Sequence, residues 1–363
     1  MRASVLFEPG KPLEVEDIDL APPQEDEVMV QMTASGVCHS CLHTADGSWT
    51  GFPMPMVLGD EGAGIVEEVG PGVRHLKPGD HVILSWAPAC GLCHYCVTGR
   101  AHLCEKTVPK KGTLFDGTTR MSIKGKPVYH YGPVSSYASH AVVPASCAIP
   151  IRQDMPLEKA ALIGCSVMTG VGAVINSAKV PPGASMTVFG VGGIGLNCIQ
   201  GGSLVAAHPI IAVDVIDEKL EYAKTLGATH TINALVDDPV EAIRDITGRG
   251  TDYAFVAVGV ADVIKQAWDS LAAGGMSLLI GLPPTGSTVT FDTGSLQDAE
   301  KMMRGCRYGS AQTREDFPRM VELYLSGRLK IDELISKQYD LQDANEAFRA
   351  LAEGELARGL IVF

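Results

Sequence analysis

Four cysteines stand at Cys90, Cys93, Cys96 and Cys104, a C-x2-C-x2-C-x7-C run in which a single loop can wrap four sulfurs around a tetrahedral cation. A set of that kind has no vacant corner, so the chemistry it points to is structural zinc. The thiols crowd one glycine-bearing loop, which separates them from scattered buried cysteines. His94 and His102 lie in the same run and read as bystanders.

A second spacing points to a dinucleotide. Apolar Met186–Phe189 leads into Gly190, Gly192, Gly193 and Gly195, which satisfy G-x-G-x-x-G, and a further apolar run ends at Asp214. The pattern reads as strand, tight turn, helix and strand, with the helix N-terminus offered to a pyrophosphate. Asp214 lies 19 positions beyond Gly195, where a carboxylate accepts both ribose hydroxyls and repels a 2′-phosphate. The expected cofactor is therefore NAD.

Three further motifs concentrate residues suited to metal binding and proton transfer. GVCHSCLHTADG holds Cys38, His39, Ser40, Cys41 and His43; LGDEGAG holds Asp60 and Glu61; LIGCSVMTGVGAV holds Cys165 and Thr169.

The elements that must position these groups divide into two styles. Up to about Ile151 the chain is made of short Val/Ile runs broken by Gly and Pro, the pattern of a β-barrel-like domain. From about Val167 to Cys306 strands such as TVFG, IIAVDV and YAFVAVG alternate with helical stretches, the pattern of a doubly wound parallel sheet. At 363 residues, 46% hydrophobic and 20% charged, the chain is expected to hold about two soluble domains. A net charge of −13 argues against nucleic acid or an anionic membrane as partner. The N-terminus lacks a signal-peptide core, no apolar run is expected to reach a membrane span, and the expected location is cytoplasmic.

Together the glycine fingerprint, the four-cysteine loop, GVCHS, GDEGAG and GCSVMTG resemble the zinc-containing medium-chain alcohol dehydrogenases over essentially the whole chain. The segment GTLFDGTTRMSIKGKPVYHY resembles their longer class I/III-like and aryl-alcohol branches. The resemblance implies an α/β fold: a GroES-like β-barrel catalytic domain over 1–166 and 307–363, carrying the zinc lobe, and a Rossmann NAD-binding domain over 167–306. It implies NAD-dependent interconversion of an alcohol with its aldehyde or ketone, with direct hydride transfer and a second, catalytic zinc stabilising the developing alkoxide.

Carried over residue by residue, the catalytic thiolates fall on Cys38 and Cys165, and the third ligand falls on Asp60, where the family has histidine. Aspartate ligates zinc through oxygen, but it makes the donor set one unit more negative. The expected result is a weaker Lewis acid and turnover displaced to higher pH. At Cys41 the family carries an acid that orients the ligand histidine; beside Asp60 such an acid would only repel, so the two departures agree. Three alternatives stay open: Cys41 closes the site as a direct ligand, Glu61 enters as a transient ligand, or the metal is lost.

By the same resemblance Ser40 and His43 form a proton relay, and His39, Thr169, Lys219 and Arg358 face the cofactor's pyrophosphate, nicotinamide, ribose and phosphate. Trp49, Trp86, Tyr131 and Leu282 fall on the substrate pocket, where large rings favour an aryl or medium-chain alcohol. Thr107-Val108 stand where oxidisers of the glutathione adduct of formaldehyde carry a basic residue, so that activity is not expected. Association as a homodimer or homotetramer is expected through SLLIGLPP. The rival readings are a zinc-free reductase acting on an activated C=C or imine, and a catalytically silent NAD-binding protein.

Overall fold

A computed structural model describes residues 1–106, 112–284, 286–355 and 357–363, so the Thr107-Val108 pair lies outside the described residues. The chain divides into two compact units, Met1–Ser166 with Gln312–Phe363, and Val167–Ala311.

In the first unit the strand Glu27–Gly36 is the axis. Val28, Val30, Met32 and Ala34 alternate along it and are all buried, as a half-buried antiparallel strand requires. It pairs antiparallel with Gly62–Val69, His140–Pro144 and Arg358–Val362 in a sheet of seven strands. Arg2–Leu6, Met56–Val57 and Lys126–His130 belong to a second sheet of six strands.

Register decides what meets at the end of this axis. Ser35 lies opposite Gly62 and Gly36 opposite Leu360, so the residues just past Gly36 meet those just before Gly62 and those opening the last strand. Those residues are Cys38, the pair Asp60-Glu61, and Arg358. A Cβ on Gly36 would overlap the Glu61 carboxylate, so only glycine fits that strand end.

Beneath the first strand lies a buried polar cluster. Arg120 donates to both Glu27 oxygens at 2.8 and 2.6 Å and to Asp116 at 2.6 Å, while its own backbone N–H donates to Nε2 of His130 at 3.2 Å. That acceptor role requires the neutral ring. Burial, with Arg120 adding to it, pushes the His130 pKa down to about 3. In the unfolded chain a histidine titrates near 6.5, so between those values the unfolded state binds more protons. Stability is therefore intact above about pH 6.5 and falls as pH drops toward 3, by up to ~4 kcal/mol from this group. Urea midpoints measured at about pH 7 and about pH 4.5 should separate less in His130→Gln than in the parent. Equal separations would contradict the assignment.

The helical run Leu157–Ala178 carries the chain from the first unit into the second. Its 22 residues are long and apolar enough to cross a membrane, contrary to the expectation that no run reaches that length; with 89% of its apolar window buried, it is a core helix instead. Two of its segments widen to π geometry, Ile163–Val167 and Ala173–Ala178, and the first carries Cys165.

The second unit is a six-stranded parallel sheet. Its order is His230–Asn233, Ile210–Asp214, Met186–Phe189, Thr251–Val256, Leu271–Leu279 and Met302–Gly305. Numbered along the chain this is 3-2-1-4-5-6, the doubly wound order, whose switch point adjoins Met186–Phe189. Both fold types implied by the resemblance are present. Asp252, which had no assigned chemistry, anchors the sheet's rim by accepting from the Ser185 amide and hydroxyl at 2.9 and 2.8 Å.

Candidate active site

Among the described residues, two sets of side chains could hold a metal ion. In the loop that follows the strand His81–Leu84, the sulfurs of Cys90, Cys93, Cys96 and Cys104 all lie within 4.8 Å of one another. Cys90 to Cys96 and Cys93 to Cys104 are each 3.9 Å, and none of the four is in a disulfide. A tetrahedron built on zinc–sulfur bonds of about 2.3 Å has an edge of about 3.8 Å, so the set fits that ion. The Leu92 and Cys93 amides point at Cys90 Sγ from 3.5 and 3.3 Å. His94 instead faces Arg100, at 3.1 Å, and His102 lies on the turn Ala101–Leu103.

The second set is Cys38, Asp60 and Cys165, again with ligand atoms within 4.8 Å of one another and all three residues buried. Cys38 is the N-cap of the helix His39–Ala45, Asp60 precedes the strand Gly62–Val69, and Cys165 sits in the widened turn. A hydrogen bond from Cys165, aided by the Arg358 charge, holds the Cys38 thiol down at about 5 against its burial. Its partner Cys165 is pushed well up by the same bond and by burial. Burial, with the neighbouring Cys38 charge, raises the Asp60 carboxyl to about 7. The upward shifts of Cys165 and Asp60 express the crowding of buried acidic groups, which a divalent cation would relieve. Two sulfurs and one oxygen leave room for a fourth donor, as in an open zinc site.

Two expected participants fall outside this set. Glu61 accepts at Oε1 from the Ser166 amide and hydroxyl at 2.8 and 2.7 Å, and at Oε2 from Arg358 Nη2 and Nε at 2.6 and 3.1 Å. Both of its oxygens are occupied, and in this structure it is the buried counter-ion of Arg358. Arg358 is 3% exposed and pairs with Glu61 through Nη2 and Nε. Cys41 does not join the ligand set either; its Sγ lies 3.7 Å from Asp60 Oδ1. Burial first, then the Asp60 and Cys38 charges, push its thiol well above the usual range.

Ser40 Oγ lies 2.6 Å from Asp60 Oδ2 and 3.2 Å from Cys38 Sγ, which places the hydroxyl directly over the candidate centre. His43 is one helical turn away, its ring tilted against Trp49 at 5.6 Å and 3.9 Å from Asp46. His39 opens the same helix, its ring 6.1 Å from that of His43. Tyr131 belongs to the apolar cluster that also contains Cys38 and Cys165, with Phe52, Leu42 and Trp86 packed against it. Phe52 and Tyr131 stand ring to ring at 5.7 Å. Leu282 belongs to the second unit, where it is exposed.

In that unit Gly190 takes φ +84°, a conformation open to glycine, and a Cβ on Gly195 would overlap the Gly190 carbonyl. Gly192 has nothing within 4 Å of where a Cβ would be, and Gly193 begins the helix Gly193–Leu204. Asp214 ends its strand with Oδ2 accepting from the Val191 amide at 2.8 Å and Oδ1 from the Val215 and Ile216 amides at 2.8 and 3.2 Å. The carboxylate thus ties the glycine turn to the next strand, a duty its spacing did not reveal. Lys219 is half-buried on Asp217–Thr225, and Thr169 is buried on Met168–Gly172.

Sequence reasoning missed Ser166 and Tyr137. Ser166 adjoins Cys165, and that adjacency was the available signal; Tyr137, whose hydroxyl donates to the Gly36 carbonyl at 3.2 Å, gave none.

Residues 24–153 match the family described as alcohol dehydrogenase GroES-like domain, and residues 193–326 match the one described as zinc-binding dehydrogenase. An S-(hydroxymethyl)glutathione dehydrogenase of Paracoccus denitrificans is 39% identical, over 100% of this chain and 99% of its own. Among solved structures, an alcohol dehydrogenase zinc-binding domain protein from Burkholderia ambifaria matches with a TM-score of 0.96 at 36% identity, covering 100% of this chain and 98% of that one. Benzyl alcohol dehydrogenase from Acinetobacter calcoaceticus matches with a TM-score of 0.93 at 34% identity, covering 100% and 99%.

Proposed function

The chain belongs to the zinc-binding alcohol dehydrogenase family, and from that premise we propose that it oxidises an aromatic primary alcohol with NAD, using Cys38, Asp60 and Cys165 to hold a catalytic zinc. The observation that carries the proposal is the buried convergence of two sulfurs and a carboxylate beside a Glu61 whose charge Arg358 already answers. Buried acids with so little compensation call for a cation. The preference for aromatic alcohols is supported by the Phe52, Tyr131 and Trp86 rings packed into the cluster around Cys38 and Cys165.

When bound, zinc supplies Lewis acidity toward the substrate hydroxyl, and NAD accepts the hydride. The protein's own groups do the rest. The Ser40 hydroxyl is placed to take the substrate's proton, and His43 offers the next basic atom on the same helix. The rings beside Cys38 exclude water and orient the substrate. Asp214 is suited to accept from the adenosine ribose while it holds the glycine turn.

Loss of that carboxylate should be visible in cofactor use. Asp214→Ala removes a charged acceptor, a change of about 1.5–3 kcal/mol, so the KM for NAD should rise roughly ten- to a hundredfold. Preference over NADP should fall with it. Unchanged NAD kinetics in that variant would show that Asp214 serves the turn alone.

The proposal as a whole is tested by counting metal and following NADH. Two zinc ions per chain and NAD reduction by benzyl alcohol, at a higher kcat/KM than with S-(hydroxymethyl)glutathione, are expected. One zinc per chain with no alcohol oxidation would replace this reading with the zinc-free reductase.

A further inference from the structure

The carboxylate of Asp60 is approached at both oxygens from one turn of one helix. Ser40 Oγ donates to Oδ2 at 2.6 Å and the Cys41 thiol approaches Oδ1 at 3.7 Å. Both side chains belong to His39–Ala45, the helix whose N-cap is Cys38. A single rigid segment therefore fixes one candidate thiolate ligand and the two groups that touch the candidate oxygen ligand.

This matters because a carboxylate is a looser ligand than an imidazole. It can rotate about its Cβ–Cγ bond and can present one oxygen or two to a cation. A ring ligand is steadied through its second nitrogen, and a carboxylate must be steadied through its own oxygens. At Asp60 the Ser40 hydroxyl and the Cys41 thiol reach the two oxygens, one each. Cys41 is fully buried and lies outside the ligand set, so its place is beside the carboxylate.

We propose that Cys41, together with Ser40, is a positioning residue for Asp60, gripping its two oxygens so that the carboxylate has one orientation toward Cys38 and Cys165. The proposal rests on the zinc-binding reading of those three residues given above.

The test uses the full-length protein with cobalt(II) in place of zinc, comparing the parent with Cys41→Val and Cys41→Ser. Valine keeps the volume and removes the donor; serine keeps a donor. Loss of a group that steadies a ligand lowers metal affinity by about 10–100-fold. Competition with a chelator should show that loss at the second site in Cys41→Val, with a changed visible cobalt spectrum, and Cys41→Ser should lie within about threefold of the parent. The metal of the four-cysteine lobe should be unmoved in both, and circular dichroism should report the same fold.

Equal affinity and an equal spectrum in Cys41→Val would overturn the positioning role and leave the zinc reading standing. A parent protein that binds cobalt only in the lobe would overturn that reading, and this inference with it. Equal losses in the valine and serine variants would assign Cys41 to packing alone.

Discussion

Cys165→Ala is expected to hold one zinc per chain instead of two and to lose at least about a thousandfold in kcat/KM for alcohol oxidation, equivalent to ~4 kcal/mol of transition-state stabilisation. Cys165 meets Cys38 and Asp60 from the widened segment Ile163–Val167, and it is buried there. With two donors left, a divalent ion lacks the ligand count that an open zinc site requires. The hydrogen bond that favours the Cys38 thiolate disappears at the same time. Metal analysis and steady-state kinetics check the expectation together. Two zinc ions per chain with undiminished turnover in Cys165→Ala would contradict it.

The second large effect belongs to the lobe. Cys96→Ser should release the other zinc and open 90–104 to proteolysis. The segment has little else to hold it: Cys90, Cys93 and Cys96 are only half-buried, Leu92 and Val97 are 87% and 67% exposed, and the regular structure is one turn of helix, His94–Val97, and the short turn Ala101–Leu103. Metal binding to such sets is worth on the order of 10 kcal/mol, comparable with the stability of a whole domain. The zinc thus stands in for a hydrophobic core. Limited proteolysis with mass mapping should place the first cuts in this loop in the variant and elsewhere, or later, in the parent. A variant loop as resistant as the parent's would show that packing suffices.

What the sequence disclosed depended on how local the constraint was. The glycine turn was legible because Gly190 and Gly195 answer to atoms a few positions away, a carbonyl and a tight φ. The four-cysteine loop was legible for the same reason. Glu61 was not, because its partners are Ser166 and Arg358, 105 and 297 positions distant, and only the pairing of Arg358–Val362 with Glu27–Gly36 brings them together.

Other features that the sequence did not disclose have physical sources of their own. The run Leu157–Ala178 mixes alanine and glycine with aliphatics, so it carries no conspicuous hydrophobic block although 89% of its apolar window is buried. Asp214 was read for its reach toward a ribose; that its oxygens also accept three backbone amides follows from the geometry at the end of a strand. At Asp60 a departure from the family's histidine was visible in the sequence. Its accommodation by Ser40 and Cys41 needed the helix His39–Ala45 to be seen in place.

The central claim is that two thiolates and an aspartate hold a metal where the resemblance implies an imidazole. An anomalous difference map recorded at the zinc absorption edge, on crystals of the metal-replete protein, tests it most directly. The account predicts one peak within the four-cysteine loop and a second bonded to Cys38, Asp60 and Cys165 with a corner free for substrate. A map with the loop peak alone, or with a second peak that Asp60 does not touch, would contradict it.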